Sequence, residues 1–250
     1  DDLPGLRWVQ STWAGVTPFF EEPRRDYLLT GVKDLFGAAM SEYVLGWVLA
    51  LKRSILTYAS AQSWEFRRDR GLGELRLGIA GTGSIGAEVA RRSAPFFAEV
   101  VGLNSDGRSV AEFSVCYPTS DREAFASGLD VLAMVLPDTP GTDNLIGARE
   151  LTAMNEGAIV VNGGRANSLD LPAALQALDT DRLSALVLDV FDEEPLADDD
   201  PLWRTAGVYI TSHSAAPTDA DAVVQVFLAN LERYRAGLPL EGLIDFEKGY

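Results

Sequence analysis

A doubly wound α/β fold built on a parallel sheet is predicted by three features of this sequence. From about residue 75 onward, short apolar runs alternate with amphipathic segments of helical period. The runs are apolar almost without a break, as in "LRLGIAG" (75–81), "LDVLAMVLP" (129–137) and "GAIVVNGG" (157–164), the pattern of strands covered on both faces. The first of them turns into a helix through Gly81-x-Gly83-x-x-Gly86.

Taken in order, "LRWVQ" (6–10) alternates like a short strand, "STWAGVTP" (11–18) reads as a loop, and "YLLTG" (27–31) reads as a second short strand. Met40, Tyr43, Val44, Trp47, Leu51, Ile55 and Tyr58 recur at helical spacing, which predicts one long, largely buried helix from about Gly37 to Ala61. "WEFRRDRGLGEL" (64–75) is polar and punctuated by glycine, a surface crossing. Strands then follow at 75–81, 99–105, 129–137, 157–164, 183–191 and 207–213, with helices at 84–96, 121–128, 148–155 and 170–178. A long amphipathic helix, 218–237, comes last. The predicted division is a smaller substrate domain from 1–34, a dinucleotide-binding domain over 35–217, and a segment 218–250 whose helix returns to the smaller domain.

With 250 residues, 47% of them hydrophobic and 23% charged, the chain is long enough for one large α/β domain or two unequal ones. A net charge of −16 argues against a phosphate-backbone surface, so no nucleic-acid partner is expected. The longest apolar run, "YVLGWVLAL" (43–51), is far shorter than the ~20 residues of a membrane span, so no membrane partner is expected either. Without a signal-peptide pattern, a cytoplasmic location is the expectation. The single cysteine, Cys116 in "EFSVCYP" (112–118), reads as a buried, inert thiol, and no metal site is expected.

The glycine motif carries the most specific chemistry. Gly81 permits a tight turn, Gly83 lets the backbone approach a pyrophosphate, and Gly86 allows close helix–strand packing. The helix start at Ser84 and Ile85 then offers N–H groups and a dipole to the phosphate charge. With a strand before it, a helix after it and further βα units behind, the motif predicts a Rossmann-type dinucleotide site. At the end of the next strand, where an NAD site usually has a carboxylate, stands Asn104, followed by Ser105 and then Arg108. An uncharged residue beside a guanidinium suits the 2′-phosphate of NADP, whereas Asp106, one or two residues off, would suit the ribose diol of NAD. NADP is therefore the expected cofactor, with NAD as the alternative.

Doubly wound sheets bind ligands at the carboxyl ends of their strands. Three charged or titratable residues stand there: Arg165 after "IVVNGG", Glu194 beyond "LVLDVF", and His213 after "VYITS". His213 is the only histidine in the chain, and a capped strand end is its plainest explanation. Its company changes that. Reducing a ketone requires a proton for the oxygen, which an imidazole can supply near neutral pH. A carboxylate partner fixes the ring's tautomer, and a guanidinium can clamp the planar fork of a 2-keto acid.

The sequence resembles the D-isomer-specific 2-hydroxyacid dehydrogenase family from near residue 3 to residue 245, and within it the glyoxylate/hydroxypyruvate reductase-like branch. "GTGSIG", "LPDTPGTDNLIG", "GAIVVNGGRAN", "LVLDVFDEEPL", "DPLW" and "YITSHSA" carry the resemblance. It implies Arg165 as the substrate-binding arginine, Glu194 rather than Glu193 as the carboxylate partner, and His213 as the acid/base. It further implies Asp189 near the nicotinamide amide, Pro137, Thr142 and Gly164 in the cofactor set, and the backbone of Trp13, Ala14 and Gly15 on the substrate carboxylate. The Trp13 indole either walls the pocket or simply packs. A homodimer is implied too, through the long helix and the 64–75 crossing.

Two departures stand out. Ser212 replaces a proline of the family pattern, removing a ring that would stiffen the approach to His213, and Ala166 adds a methyl beside Arg165. Family members also carry several dozen residues before the position of Asp1, so the smaller domain is expected to be incomplete at its N-terminus. The expected reaction is reduction of a small 2-keto acid, such as glyoxylate or hydroxypyruvate, to the D-2-hydroxy acid. A phosphoglycerate-type dehydrogenase and a nucleotide-sensing, corepressor-like binding protein are the alternatives. The acidic balance disfavours the first and the absence of a basic or tail-like interaction segment the second. Formate is disfavoured by Glu194, since the formate enzymes of the superfamily have Gln there.

Overall fold

The structure, a computed structural model, describes residues 3–13, 15–16, 18–21, 23–32, 34–64, 66 and 71–247. The chain begins with strand β1 (Trp8–Gln10), a single-turn helix α1 (Pro18–Glu21) and strand β2 (Leu28–Thr30), which pairs parallel to β1. Helices α2 (Gly37–Lys52) and α3 (Ile55–Ala59) follow. The alternating region then runs β3 (Arg76–Ala80), α4 (Ser84–Ser93), β4 (Glu99–Asn104), β5 (Val115–Pro118), α5 (Arg122–Ala126) and β6 (Val131–Met134). It continues through α6 (Ala148–Ala153), β7 (Ala158–Asn162), α7 (Leu171–Asp179), β8 (Leu183–Leu188) and β9 (Val208–Ile210) to α8 (Ala220–Arg235).

Two compact units result, one from residues 1–36 and 217–250 and the other from residues 37–216. In the smaller, Trp8 of β1 stacks on Phe227 of α8 at 5.3 Å, nearly parallel, and on Tyr234 at 5.6 Å. Asn230 Nδ2 donates to Gln10 Oε1 at 3.2 Å, a polar staple between the same two elements. α8 starts where it does because the Asp219 carboxylate caps the N–H groups of Asp221 and Ala222.

The larger unit is a seven-stranded, fully parallel sheet in the order β5-β4-β3-β6-β7-β8-β9. Successive residues of a strand point to opposite faces, so an apolar run serves two cores at once. Leu77, Ile79, Ile159, Val161, Ala185 and Val187 join Met40, Val44 and Val48 of α2 and Val89 of α4 on one side. Leu132, Met134, Val160, Leu186 and Leu188 join Phe125, Leu151 and Ala174 on the other. Phe125 is fully buried, and its truncation to alanine should cost ~3–5 kcal/mol. No described helix is long and apolar enough to cross a membrane.

Two sequence expectations need correction. The long helix does not run from 37 to 61: α2 stops at Lys52, because Ser54 takes a left-handed conformation (φ 53°) that no helix continues through. Beyond that break Ile55 and Tyr58 leave the buried face, and no residue of α3 is buried. "EFSVCYP" holds an edge strand, β5, and Cys116 on it is half-buried rather than buried, since an edge strand is packed from one flank only. Of the 64–75 crossing, residues 65 and 67–70 lie outside the described residues.

Candidate active site

The sheet's winding reverses between β3 and β6, and ligand crevices of such sheets open there, at the carboxyl ends of the strands. Gly81 leaves β3 at φ 101°, a conformation disfavoured for any side chain, and its N–H donates to the Leu103 carbonyl at 2.9 Å. A Cβ on Gly86 would lie 1.8 Å from the Gly81 carbonyl oxygen, so the crossing of α4 over β3 requires glycine. Gly83 caps α4 in an extended conformation and offers no side-chain acceptor. The N–H groups of Ser84, Ile85 and Gly86 in the first turn therefore have no intrahelical partner and suit a pyrophosphate.

Asn104 ends β4, 7% exposed. Its Nδ2 donates to Thr82 Oγ1 at 3.0 Å and to the Arg108 carbonyl at 2.9 Å, while its buried Oδ1 has no partner among the described residues. An unpaired buried acceptor beside a phosphate-type helix start fits a ribose hydroxyl. Asp106, the residue that left NAD open, turns onto Arg108: its Oδ1 accepts from the Arg108 backbone N–H at 3.2 Å and faces the guanidinium at 3.4 Å. Ser105 is exposed beside them.

The ends of β6 and β7 are held by internal clamps. Thr142 Oγ1 donates to the Pro137 carbonyl at 2.8 Å and accepts from the Thr139 N–H at 3.1 Å, so this buried hydroxyl serves the loop itself. A Cβ on Gly164 would meet the Leu136 backbone nitrogen at 2.7 Å, which fixes how closely the two loops approach. Asn162, absent from the predicted set, organises the second loop: its Oδ1 accepts from the Gly164 N–H and its Nδ2 donates to the Arg165 carbonyl, each at 3.1 Å. Arg165 Nη1 donates to the Gly164 carbonyl at 2.7 Å, and the guanidinium lies near enough to Glu194 to act on its charge.

Glu194 and His213 meet directly, with His213 Nδ1 2.7 Å from Glu194 Oε2. A carboxylate only accepts, so Nδ1 carries the hydrogen and Nε2 remains the atom that exchanges a proton. The other oxygen, Oε1, accepts from the Phe191 N–H at 2.9 Å, anchoring the carboxylate in its own turn. Burial alone would raise the Glu194 pKa. The hydrogen bonds from His213 and Phe191 and the charges of His213 and Arg165 outweigh it and hold the carboxyl below its usual range.

His213 itself has φ 51°, an uncommon conformation for a residue with a Cβ. Asp189, 1% exposed, holds it there. The Asp189 carbonyl accepts from the His213 N–H at 2.9 Å, and its carboxylate oxygens accept from the Ser214 N–H at 2.8 Å and the Ala215 N–H at 2.9 Å. Three consecutive N–H groups are thus gripped by one residue at the end of β8. The larger unit brings together Gly81, Gly83, Ser84, Ile85, Gly86, Asn104, Ser105, Arg108, Pro137, Thr142, Gly164, Arg165, Asp189, Glu194 and His213 at the carboxyl side of its sheet. Trp13 and Gly15 belong to the smaller unit, where Trp13 is 66% exposed and its backbone N–H donates to Ser11 Oγ at 3.1 Å. Ala14 lies outside the described residues.

Comparison with known proteins places this geometry. The family model described as D-isomer specific 2-hydroxyacid dehydrogenase, NAD binding domain, matches residues 45–215. The structure of a D-isomer specific 2-hydroxyacid dehydrogenase family protein from Aeromonas salmonicida superposes with a TM-score of 0.89 at 40% identity, covering 96% of this chain and 79% of that one. An NADPH-dependent glyoxylate/hydroxypyruvate reductase from Sinorhizobium meliloti, in complex with NADP and sulfate, gives 0.91 at 29% identity, covering 99% and 81%. Glyoxylate/hydroxypyruvate reductase A of Serratia proteamaculans is 31% identical over 256 residues, 98% of this chain and 82% of its own length.

Proposed function

Because the chain belongs to the D-isomer specific 2-hydroxyacid dehydrogenase family, whose members are NAD(P)-dependent oxidoreductases, we propose that it reduces a small 2-keto acid of the glyoxylate or hydroxypyruvate kind to the D-2-hydroxy acid. The observation that carries this reading is the Glu194–His213 pair at the carboxyl edge of the sheet. A reduced nicotinamide, when bound, supplies the hydride. The N–H groups at the start of α4 would hold its pyrophosphate, Asn104 its ribose, and Asp189 its nicotinamide end. Arg165 orients the keto acid through its carboxylate and carbonyl oxygen. His213 delivers the Nε2 proton to that oxygen, and Glu194 stabilises the ring in the protonated state that precedes transfer.

NADPH is the preferred cofactor in this reading. It is supported by Arg108, four residues past the end of β4 with Asp106 folded against it, and by the NADP held by the Sinorhizobium meliloti relative. A homodimer belongs to the same proposal: Ile55, Leu56, Trp64 and Phe66 present apolar surface just beyond α2, as a subunit contact requires. The test is a steady-state screen of 2-keto acids with NADPH and NADH on the full-length protein. Glyoxylate or hydroxypyruvate with NADPH should give the highest kcat/KM, and His213→Ala should lower kcat by ~10²–10⁴ while NADPH still binds. Retained turnover in that variant would remove His213 from the mechanism.

A further inference from the structure

The imidazole of His213 is only as well placed as the turn that carries it, and Ser212 before it brings no ring to restrict that turn. The restriction comes from a polar chain, half-buried at Tyr43 and Thr211 and buried at Asp189, that starts far away in sequence. Thr211 Oγ1 donates to Asp189 Oδ1 at 2.5 Å, because a carboxylate can only accept. The Thr211 hydrogen being committed, the 2.7 Å contact between Thr211 Oγ1 and the Tyr43 hydroxyl has a fixed direction: Tyr43 donates. The result is a one-way series, Tyr43 to Thr211 to Asp189, ending on the residue that grips the N–H groups of His213, Ser214 and Ala215.

The start of the series is itself held. Met40, Val44 and Val48 bury one face of α2 against the sheet, which leaves Tyr43 at the flank of that face, half-buried. Trp47, one turn on, stands 6.4 Å from the Tyr43 ring and 5.3 Å from Tyr209 of β9, two residues before Thr211. Burial first, and then the Asp189 charge, push the Tyr43 phenol up to about 12, so it remains a donor at neutral pH. Series of this kind polarise one another, each donor strengthening the next.

We propose that Tyr43 and Thr211 are positioning residues for His213: their hydroxyls, in series with the Asp189 carboxylate, fix the left-handed turn that aims the imidazole. The proposal rests on His213 being the acid/base. Thr211→Val keeps the shape and removes both hydrogen bonds, and it should lower kcat ~10-fold with little change in the keto-acid KM. Thr211→Ser should restore kcat to within ~2-fold of wild type, and Tyr43→Phe should lower it ~3-fold. Because the bonds are in series, adding Tyr43→Phe to Thr211→Val should lower kcat no further.

The experiment is steady-state NADPH oxidation with glyoxylate on the four variants and on His213→Ala, with thermal unfolding of each alongside. Wild-type kcat in Thr211→Val and Tyr43→Phe beside an inactive His213→Ala overturns the positioning role alone. Lowered melting temperatures with unchanged kcat, failure of Thr211→Ser to rescue, or additive losses in the double variant overturn it as well. Turnover retained in His213→Ala overturns the acid/base reading instead.

Discussion

Arg108→Ala is the perturbation that most directly separates the two cofactor assignments. In the free protein the guanidinium faces Asp106 at 3.4 Å, with side chains 56% and 61% exposed, and such an exposed pair contributes ~1 kcal/mol at most. Little therefore holds Arg108 back from a 2′-phosphate, to which a charge-assisted hydrogen bond contributes ~1.5–3 kcal/mol. The net gain of ~1–2 kcal/mol corresponds to ~5–30-fold in Kd. The loop should survive the change, because Asn104 Nδ2 holds the backbone carbonyl of residue 108 and Asp106 Oδ1 its N–H. Fluorescence titration should then show NADPH weakened by that factor in Arg108→Ala, and NADH changed by less than ~2-fold. Raising the ionic strength should narrow the gap, since the site is exposed. Asp106→Ala should tighten NADPH slightly by releasing Arg108. Equal losses for both cofactors in Arg108→Ala, or a selective loss of NADH in Asp106→Ala, would refute the reasoning and assign the ribose to Asp106.

Two further outcomes follow from the geometry. The Glu194 carboxyl is held below its usual range, so its contribution to stability is fully present above the ordinary carboxylate range and is lost as pH falls through the depressed value. The melting temperatures of wild type and Glu194→Gln should accordingly differ most near neutral pH and converge on acidification; a gap that widens in acid would contradict the assigned cause. Gly86→Ala puts a Cβ 1.8 Å from the Gly81 carbonyl, so calorimetry should show a loss of ~1–3 kcal/mol and titration a marked loss of NADPH binding. Wild-type values of both would show that the crossing can relax.

The sheet was legible because its signals are local. A strand buried on both faces must be apolar throughout, so 76–80, 131–134 and 158–162 announce themselves residue by residue. The same locality explains the misses. Val115–Pro118 is a four-residue edge strand whose pairing with β4 depends on a neighbour, not on its own pattern. The long helix overran because Ile55 and Tyr58 keep the period past Ser54, whereas the break lies in a backbone angle that no spacing reports.

For the candidate site, the strand-end rule was enough to put Arg165, Glu194 and His213 on one edge, and the sequence alone determined the turn from Gly81 to Gly86, since Gly81 answers its own backbone angle and Gly86 the Gly81 carbonyl five residues before it. Whether Asp106 or Arg108 faces the ribose was undecidable from spacing, because a turn at Gly107 (φ 72°) folds one onto the other. Asn162 and the Tyr43–Thr211 contact were decided by the tertiary structure only. Asn162 works through backbone atoms of its own loop, and Tyr43 meets a hydroxyl 168 residues away. Hydrogen bonds of that separation leave no periodicity behind; they exist because helix α2 and the end of β9 pack against the same sheet.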